Sequence, residues 1–433
     1  MVQTAKSNFS AATVLYKDLL FITFRIVRFP KLATRLAWLT GFLGVALGAG
    51  TAVSCNSDSP TPTTSTETPE APAATTHLVG SKLIGEYSTQ TLAGRVSQVP
   101  LVGSLAKYPI KVYRLTYTTQ NTDGQTVMAS GALLVPTAPV ALPLLSYQHG
   151  TLRPADEDHA PSYYSSSSEV YSAVSVLAST GYIVAAPDYI GYGASKNLPH
   201  PYEHAASLAS ASLDMLRAAR EFCAQQKIQR NDQNFLVGYS EGGFATMALH
   251  KLIEEKNSQE FTVTASAPGA GAYHKSAFAR YILSSDQPLN FLGTYVWVLS
   301  TYDRVYKLNR PFSYYYKAPY AAQLQANQFS AVPKLPSQLF TNTFRDAVLS
   351  GNDAPLAATL TDNDIYDWKP TAPTALFHGT ADDYVPFFNS EDAYKAMRAR
   401  GATQVQLRPI EGANHFSGAA AYTLAAYAFI AQY

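Results

Sequence analysis

The sequence predicts an α/β protein whose mostly parallel sheet is covered by helices, and three observations lead to this class. Short apolar runs typical of buried strands recur along the chain, at residues 144–148, 182–186, 235–238, 263–267, 375–378 and 405–408. Helical patterns lie between most of these runs, at residues 203–225, 244–255 and 390–400. Two alternating segments, residues 111–119 and 126–135, are joined by a turn and indicate an antiparallel hairpin in front of the other strands.

The composition limits the class of function. The chain has 433 residues, of which 47% are hydrophobic and 15% charged, so a disordered chain is excluded. Its 32 basic residues are matched by 31 acidic residues, which argues against a nucleic-acid-binding protein with a basic surface. Two cysteines are too few for a disulfide framework or a cysteine-rich zinc site. The sequence has no metal-binding pattern and no nucleotide-binding glycine loop, so we expect no metal and no organic cofactor.

Residues 1–54 are predicted to be an export signal. They carry six basic residues against one acidic residue, and residues 36–53 form an uncharged run of apolar and small side chains. The run ends at Ala52-Val53-Ser54-Cys55, which resembles a bacterial lipobox, although Ala52 stands where leucine is usual. The resemblance implies cleavage before Cys55 and acylation of its thiol, which would anchor the protein to a membrane of the cell envelope. An uncleaved helical anchor and an ordinary signal peptide are the alternatives, and in each case the body leaves the cytoplasm.

Residues 55–77 are predicted to be the lipidated cysteine and a flexible tether. This stretch is rich in Pro, Ser and Thr and has almost no large apolar side chains, so it cannot bury enough surface to fold. Residues 78–433 are then predicted to form one globular domain. Without residues 1–54 the chain holds 26 basic and 30 acidic residues, so the exported part is mildly acidic.

A candidate nucleophile lies between a predicted strand and a predicted helix. The pentapeptide Gly238-Tyr239-Ser240-Glu241-Gly242 has the G-x-S-x-G pattern, and this context makes the pattern informative. A sharp strand-to-helix turn holds such a serine in strained backbone angles and presents its Oγ above the edge of the sheet. We therefore expect Ser240 to be a nucleophile.

A serine hydroxyl needs a general base, and the base needs a carboxylate that orients it. Residues 377–386 look like the acid loop of α/β-hydrolases, and that register selects Asp382, with Asp383 as a surface neighbour. His415 is the only histidine after Asp382, which makes it the expected base. The chain order serine, acid, histidine is the order of that fold.

The same chemistry needs two donors that stabilise the oxyanion of the reacting carbonyl. The first candidate is the backbone N–H of Glu241, the residue after the nucleophile. The second is the N–H of Thr151, in the loop that follows the strand at residues 144–148. We expect His149 and Asp188 to organise their loops rather than to act in catalysis.

Several stretches narrow the α/β-hydrolase resemblance, and the chain resembles the secretory lipase family of fungi and bacteria from about residue 80 to residue 433. The stretches are residues 147–151, 160–163, 181–189, 238–240 and 367–370. His159 stands where members of that family often have a cysteine, so a disulfide at that point is absent. The charge of Glu241 inside the turn is a second departure, with a possible effect on substrate preference.

The resemblance also implies a helical cap, which we place at about residues 274–369. This segment interrupts the alternation of strands and helices and is too long for a loop. It is rich in aromatic residues, which would form either an apolar wall for the substrate or the core of the cap itself. We expect the second role for most of them.

The function expected from these residues is hydrolysis of carboxylic esters, as a lipase or an esterase, by Ser240, His415 and Asp382 through an acyl-enzyme. The expected partners are a small-molecule ester or lipid and, through Cys55, a membrane, but no nucleic acid. A peptidase similar to prolyl oligopeptidase is one alternative, although the chain has no propeller domain. A surface-binding protein that kept the fold without catalysis is the other.

Overall fold

The computed structural model describes residues 76–433. The predicted export signal, Cys55 and nearly all of the predicted tether lie outside the described residues. The strands are β1 (Leu78–Tyr87), β2 (Ile110–Gln120), β3 (Thr126–Pro136), β4 (Leu142–Gln148), β5 (Ile183–Pro187), β6 (Arg230–Tyr239), β7 (Ala265–Gly269), β8 (Thr374–Gly379) and β9 (Val405–Ile410).

The helices alternate with the strands after β4. They are α1 (Thr89–Arg95), α2 (Pro100–Gly103), α3 (Ala173–Ser179), α4 (Ala205–Gln225), α5 (Glu241–Lys256), α6 (Lys275–Ser284), α7 (Leu292–Val305), α8 (Phe312–Tyr315), α9 (Tyr320–Ala326), α10 (Pro336–Leu339), α11 (Asn342–Ser350), α12 (Ala354–Asp362), α13 (Phe388–Ala399) and α14 (His415–Ile430). Short 3₁₀ turns lie at Pro154–His159, Pro161–Tyr163, Glu169–Tyr171 and Gly193–Ser195.

All nine strands form one sheet in the order β1-β2-β3-β5-β4-β6-β7-β8-β9. Strands β5, β4, β6, β7, β8 and β9 are parallel to one another. Strands β1, β2 and β3 pair antiparallel at one side of the sheet. The predicted mostly parallel sheet and its antiparallel hairpin are confirmed. β5 and β7 begin one and two residues later than predicted.

The first strand was not predicted. β1 lies at the edge of the sheet, and its pairing with β2 is interrupted by register shifts after Leu78 and after Leu83. Most of its side chains are exposed or half-buried, without the regular alternation that marks a strand with one buried face. Its contribution is to extend the antiparallel side of the sheet.

Helices cover both faces of the sheet, and successive side chains of a strand pack against helices on opposite faces. In β3, Leu134 packs toward α1, α3 and α14, whereas its neighbour Leu133 packs toward α4 on the opposite face. In β6, Val237 and Leu236 divide in the same way. Burial on both faces explains why the central strands are continuous apolar runs.

The segment between β7 and β8 forms the cap, with helices α6 to α12. Its aromatic side chains pack into a hydrophobic cluster of their own, in which Phe278, Tyr302, Tyr315 and Phe344 are almost fully buried. Most of the cap aromatics therefore stabilise the cap itself. None of the helices among residues 76–433 combines the length and the apolar character needed to cross a membrane.

The long helix α4 begins at a buried histidine. His204 precedes the helix, and its Nδ1 accepts a hydrogen bond from the backbone N–H of Ser207. Burial lowers the pKa of His204 to about 4, although the charge of Asp362 acts in the opposite direction. The neutral ring is therefore the form that caps the helix.

His204 should make the protein sensitive to acid. Because the pKa is lower in the folded state than the ordinary value of 6.5, the unfolded chain binds more protons between those values and stability falls as pH falls through this range. We expect the unfolding free energy of the wild type to drop by about 2 kcal/mol more than that of His204→Asn between about pH 7.5 and pH 5. Asparagine keeps the cap without the titration.

Urea unfolding of both proteins at the two pH values measures this difference. Equal losses of stability in the wild type and in His204→Asn would contradict the assignment.

Candidate active site

Ser240 occupies a strained turn between β6 and α5. Its φ of 61° and ψ of −124° lie outside the regions that most residues adopt, and its N–H donates to the carbonyl of Gly269 at 2.9 Å. Close packing requires glycine on the helical side of the turn, because a Cβ on Gly242 would lie 2.1 Å from the carbonyl oxygen of Gln148. The turn is therefore held between the ends of β4 and β7.

The three residues expected to act together lie in hydrogen-bond contact. Nε2 of His415 lies 2.9 Å from Oγ of Ser240, and Nδ1 of the same ring lies 2.7 Å from Oδ2 of Asp382. His415 and Asp382 are 4% and 8% exposed, so the contacts are shielded from water. With the Nδ1 hydrogen donated to Asp382, Nε2 is free to accept the proton of the serine hydroxyl.

The carboxylate of Asp382 is held from several sides. Its Oδ1 accepts the backbone N–H groups of Tyr384 and Val385, each at 2.9 Å, and Nε2 of His378 lies 3.3 Å from Oδ2. Burial alone would raise the pKa of Asp382, but the hydrogen bonds and charges of His378 and His415 outweigh it and lower the pKa to about 2. The group is thus ionised throughout the neutral range.

His378 is a supporting residue that the sequence analysis did not identify as one. It is buried at the end of β8, where Nδ1 contacts Oγ of Ser390 and Nε2 contacts the carbonyl of Val385. Its place in the acid loop, four residues before Asp382, was a signal that could have been used.

The position of His415 depends on the start of α14. Asn414 caps the helix, since its Oδ1 accepts the N–H groups of Phe416 and Ser417 at 3.1 and 3.0 Å. Oγ of Ser417 accepts the N–H of Asn414 in return. The hydroxyl of Tyr239 donates to the carbonyl of His415 at 2.8 Å, which ties the helix to the end of β6.

The two expected oxyanion donors are free to bind a ligand. Within residues 76–433, neither the N–H of Glu241 nor the N–H of Thr151 has a protein acceptor. The N–H of Gly150 is occupied, because it faces both carboxylate oxygens of Glu169 at 3.3 Å. Thr151 and Ser240 line the same cleft.

The Glu241 side chain is turned into the protein. Its Oε1 lies 2.7 Å from Nε2 of His200, and both side chains are almost completely buried. Nδ1 of His200 faces the carbonyl of Ile190, so both ring nitrogens of His200 face acceptor oxygens. Glu241 therefore supports the loop behind the nucleophile, and its side chain does not line the cleft. Its effect on substrate preference stays a prediction.

His149 and Asp188 have the surroundings of loop organisers. The two ring nitrogens of His149 face the carbonyl oxygens of Gly150 and Asp188. The carboxylate of Asp188 accepts the hydroxyl of Ser130 at 2.5 Å and the N–H of Ser162 at 2.7 Å. Neither side chain is bonded to Ser240 or His415.

The cap rests on the acid loop beside the histidine. Tyr384 stacks on Phe291 with ring centroids 3.8 Å apart, and its hydroxyl lies 2.6 Å from Oγ1 of Thr294. Its carbonyl accepts the hydroxyl of Tyr295, and its ring lies 4.8 Å from that of His415. A further contact joins the cap to this loop, because the side-chain amide of Asn290 donates to the carboxylate of Asp383.

A second contact joins the cap to the sheet domain. Lys275, at the start of α6, forms a buried ion pair with Glu203. Burial lowers the pKa of Lys275 and raises the pKa of Glu203. Removing either partner of such a pair would be costly, because it would leave the other charge buried and unpaired.

The triad opens into a cleft of about 570 Å³. Ser240 and His415 line one end, and the rest lies between α3 and α14, over residues of β4 and β6. No residue of the cap lines it. Among residues 76–433 no group of three or more histidine, cysteine, aspartate or glutamate side chains could hold a metal ion.

Comparison with known proteins identifies a family of lipases and structural relatives that are hydrolases. The model of the secretory lipase family matches residues 164–432. A hydrolase from Legionella pneumophila is 28% identical with a TM-score of 0.74, covering 82% of this chain and 98% of its own. The rice cell wall degrading esterase LipA from Xanthomonas oryzae is also 28% identical, with a TM-score of 0.69 and coverage of 82% and 96%.

A more distant structure shares the fold alone. Candida antarctica lipase A in its closed state is 18% identical with a TM-score of 0.58, covering 78% of this chain and 77% of that one. No curated protein sequence matches the chain.

The packing around the serine turn can be tested at Gly242. We expect Gly242→Ala to lower the unfolding free energy by about 3 kcal/mol, because the added Cβ would lie 2.1 Å from the backbone oxygen of Gln148. Gly94→Ala is the control, since it adds a methyl group in open space within α1 and should be neutral or slightly stabilising. Denaturant unfolding of the two variants measures both effects, and equal stability would contradict the packing described.

Proposed function

We propose, from the premise that this chain belongs to the secretory lipase family, that it is an exported hydrolase of carboxylic esters that works through an acyl-enzyme on Ser240. Membership of that family and the esterase among its structural relatives support hydrolysis of ester bonds. The observation that carries the mechanism is the hydrogen-bonded chain from Oγ of Ser240 through the ring of His415 to Asp382.

In the first step His415 acts as the general base. Its Nε2 takes the hydroxyl proton while Oγ of Ser240 attacks the ester carbonyl, and Asp382 stabilises the imidazolium that forms. A carboxylate with a pKa of about 2 is ionised at neutral pH, as this role requires. Collapse of the tetrahedral intermediate releases the alcohol, which takes the proton from His415, and leaves the acyl group on Ser240.

The N–H groups of Glu241 and Thr151 are proposed to bind the oxyanion. Both lack a protein acceptor within residues 76–433, and the first lies at the N-terminus of α5, where the helix dipole favours negative charge. Water then attacks the acyl-enzyme with His415 again as the base, and the acid leaves with Ser240 restored.

The two alternatives receive less support. A peptidase would need its own specificity for amides, whereas the family is one of lipases and a structural relative at 28% identity is an esterase. A binding protein would not need the serine, histidine and aspartate to be hydrogen-bonded to one another. An ester hydrolase remains the best account of both observations.

The family also suggests export, and we propose that Cys55 carries a lipid anchor. The support is the basic, apolar and small-residue pattern of residues 1–54 together with the lipobox resemblance before Cys55. The proline-rich stretch after it would then hold the enzyme away from the membrane surface.

Replacing the nucleophile tests the mechanism. Ser240→Ala should lower kcat on nitrophenyl esters by about 10⁴-fold or more, because no other group can form the acyl-enzyme. The wild type should also be labelled covalently by a fluorophosphonate, and the variant should not. Full activity of Ser240→Ala, or cleavage of amides without cleavage of esters by the wild type, would refute the proposal.

Two adjacent aspartates provide the matched control. Asp382→Asn should lose about 10⁴-fold in kcat, since the ring of His415 would lose the partner that sets its tautomer. Asp383→Asn should stay close to the wild type, because within residues 76–433 its exposed carboxylate is bonded only to Asn290.

The anchor is tested at the two cysteines. Cys55→Ala expressed in a bacterium should appear in the soluble fraction and incorporate no labelled palmitate, because the acylated thiol is gone. Cys223→Ala is the control, since this cysteine is a buried residue of α4 and its replacement should leave membrane retention unchanged. Membrane retention of Cys55→Ala equal to that of the wild type would refute lipidation.

A further inference from the structure

We propose that His200 and Tyr202 are positioning residues for the oxyanion donors, because each bonds the side chain of one of the two residues whose N–H groups would bind the oxyanion. The proposal rests on the ester hydrolysis proposed for Ser240. Residues 200–203, which lie just before α4, are here named the oxyanion brace.

His200 holds the residue that follows the nucleophile. Its Nε2 lies 2.7 Å from Oε1 of Glu241, and the two side chains are 1% and 0% exposed. The other carboxylate oxygen of Glu241, Oε2, is buried and has no hydrogen-bond partner among residues 76–433. The contact with His200 is therefore what fixes this side chain in the first turn of α5, the turn to which the proposed N–H donor belongs.

Tyr202 holds the second donor residue. Its hydroxyl lies 3.0 Å from Oγ1 of Thr151, and neither hydroxyl has another hydrogen-bond partner in the part of the chain that the structure describes. The ring of Tyr202 is buried and stacks on Trp297 with centroids 4.1 Å apart. Thr151 lies in a loop, where a backbone is held by fewer contacts than in a strand, so this bond restricts the position of its N–H.

The brace reaches both donor residues from one short stretch of chain. Only Pro201 separates His200 from Tyr202, whereas Thr151 and Glu241 are 90 residues apart. Proline fixes its own φ and restricts the residue before it, so the two side chains leave the brace at a defined spacing. The brace therefore sets the two donors relative to each other.

Close packing holds the backbone of the brace. A Cβ on Gly191 would lie 2.6 Å from the backbone N and Cα of His200, so the loop after β5 is in direct contact with the brace. Glu203 has a φ of 52°, in the left-handed region that a residue other than glycine adopts only where its surroundings hold it there. A segment held in this way gives its side chains a defined position.

The cap holds the brace from the other side. The guanidinium of Arg304, in α7, donates to the carbonyl of His200 at 3.1 Å. The hydroxyl of Tyr302, in the same helix, donates to the carbonyl of Glu203 at 2.9 Å. The cap thus contributes to the geometry of the oxyanion donors through the brace.

The bond between Tyr202 and Thr151 can be removed from either side. Tyr202→Phe and Thr151→Val each delete one hydroxyl and keep the N–H of Thr151. Loss of a whole oxyanion donor costs about 10²–10³-fold in kcat, so we expect the smaller loss of about tenfold in kcat/KM for nitrophenyl acetate from a donor that is present but less well fixed. The double variant should lose about the same tenfold as each single variant, because all three lack the same bond.

Binding of a transition-state analogue separates positioning from general damage to the fold. A trifluoromethyl ketone forms an adduct with Ser240 that carries the oxyanion, so its affinity should fall by the same factor as kcat/KM in each of these variants.

The contact between Glu241 and His200 is tested with a conservative variant. Glu241→Ala keeps the N–H but removes the partner of the His200 ring, and we expect a loss of about tenfold in kcat/KM and in ketone affinity. Glu241→Gln should retain most of both, because its amide oxygen can still accept a hydrogen bond from Nε2 of His200.

Two matched controls remove buried contacts elsewhere. Tyr117→Phe deletes a buried hydroxyl that donates to the carbonyl of Ala211 at 2.9 Å, between β2 and α4. Glu254→Ala removes the partner of the buried His250 in the same helix as Glu241, about 20 Å further along α5. Both should lower the unfolding free energy and leave kcat/KM and ketone affinity at the wild-type values.

The outcomes separate the two proposals. A wild type that hydrolyses no ester refutes the proposed function. A wild type that hydrolyses esters, with brace variants that change kcat/KM and ketone affinity no more than the controls do, leaves the hydrolase intact and overturns the brace. Losses that add in the double variant of Tyr202 and Thr151, or equal losses in Glu241→Gln and Glu241→Ala, also overturn it.

Discussion

The close contact of three chain segments around Ser240 is the constraint on which the site depends. The serine keeps positive φ because its N–H is bonded to Gly269 and because the following helix approaches the end of β4 within the space that only Gly242 leaves. The same approach sets the loop that contains Thr151 beside the N-terminus of α5. One packing relation between strands β4, β6 and β7 thus defines both the nucleophile and the candidate oxyanion donors.

The sheet and the site residues could be predicted because their signals are local in the sequence. A buried strand, a glycine-flanked serine and a helix occupy adjacent positions, and Asp382 and His415 each follow an apolar strand. β1 was missed because an edge strand with interrupted pairing has no regular alternation. The pairing of Glu241 with His200 was missed because it joins residues 41 apart through a buried contact that no local pattern encodes.

Most of the groups that bond the carboxylate of Asp382 could not be predicted from the sequence either. A carboxylate in a loop is usually a local cap, and only the three-dimensional arrangement brings two backbone N–H groups and two histidine rings around it. Similarly, α14 was not among the predicted helices, and the sequence did not reveal that one face of this helix would border the cleft. That face becomes visible only when α3 is placed against the same side of the sheet.

The contacts of Tyr384 have a consequence for how substrate reaches the serine. A residue that stacks on the cap and also borders His415 ties cap movement to the geometry of the base, and the Glu203–Lys275 pair adds a second attachment. Because no residue of the cap lines the cleft that leads to Ser240, substrate can approach along the cleft while these contacts stay in place.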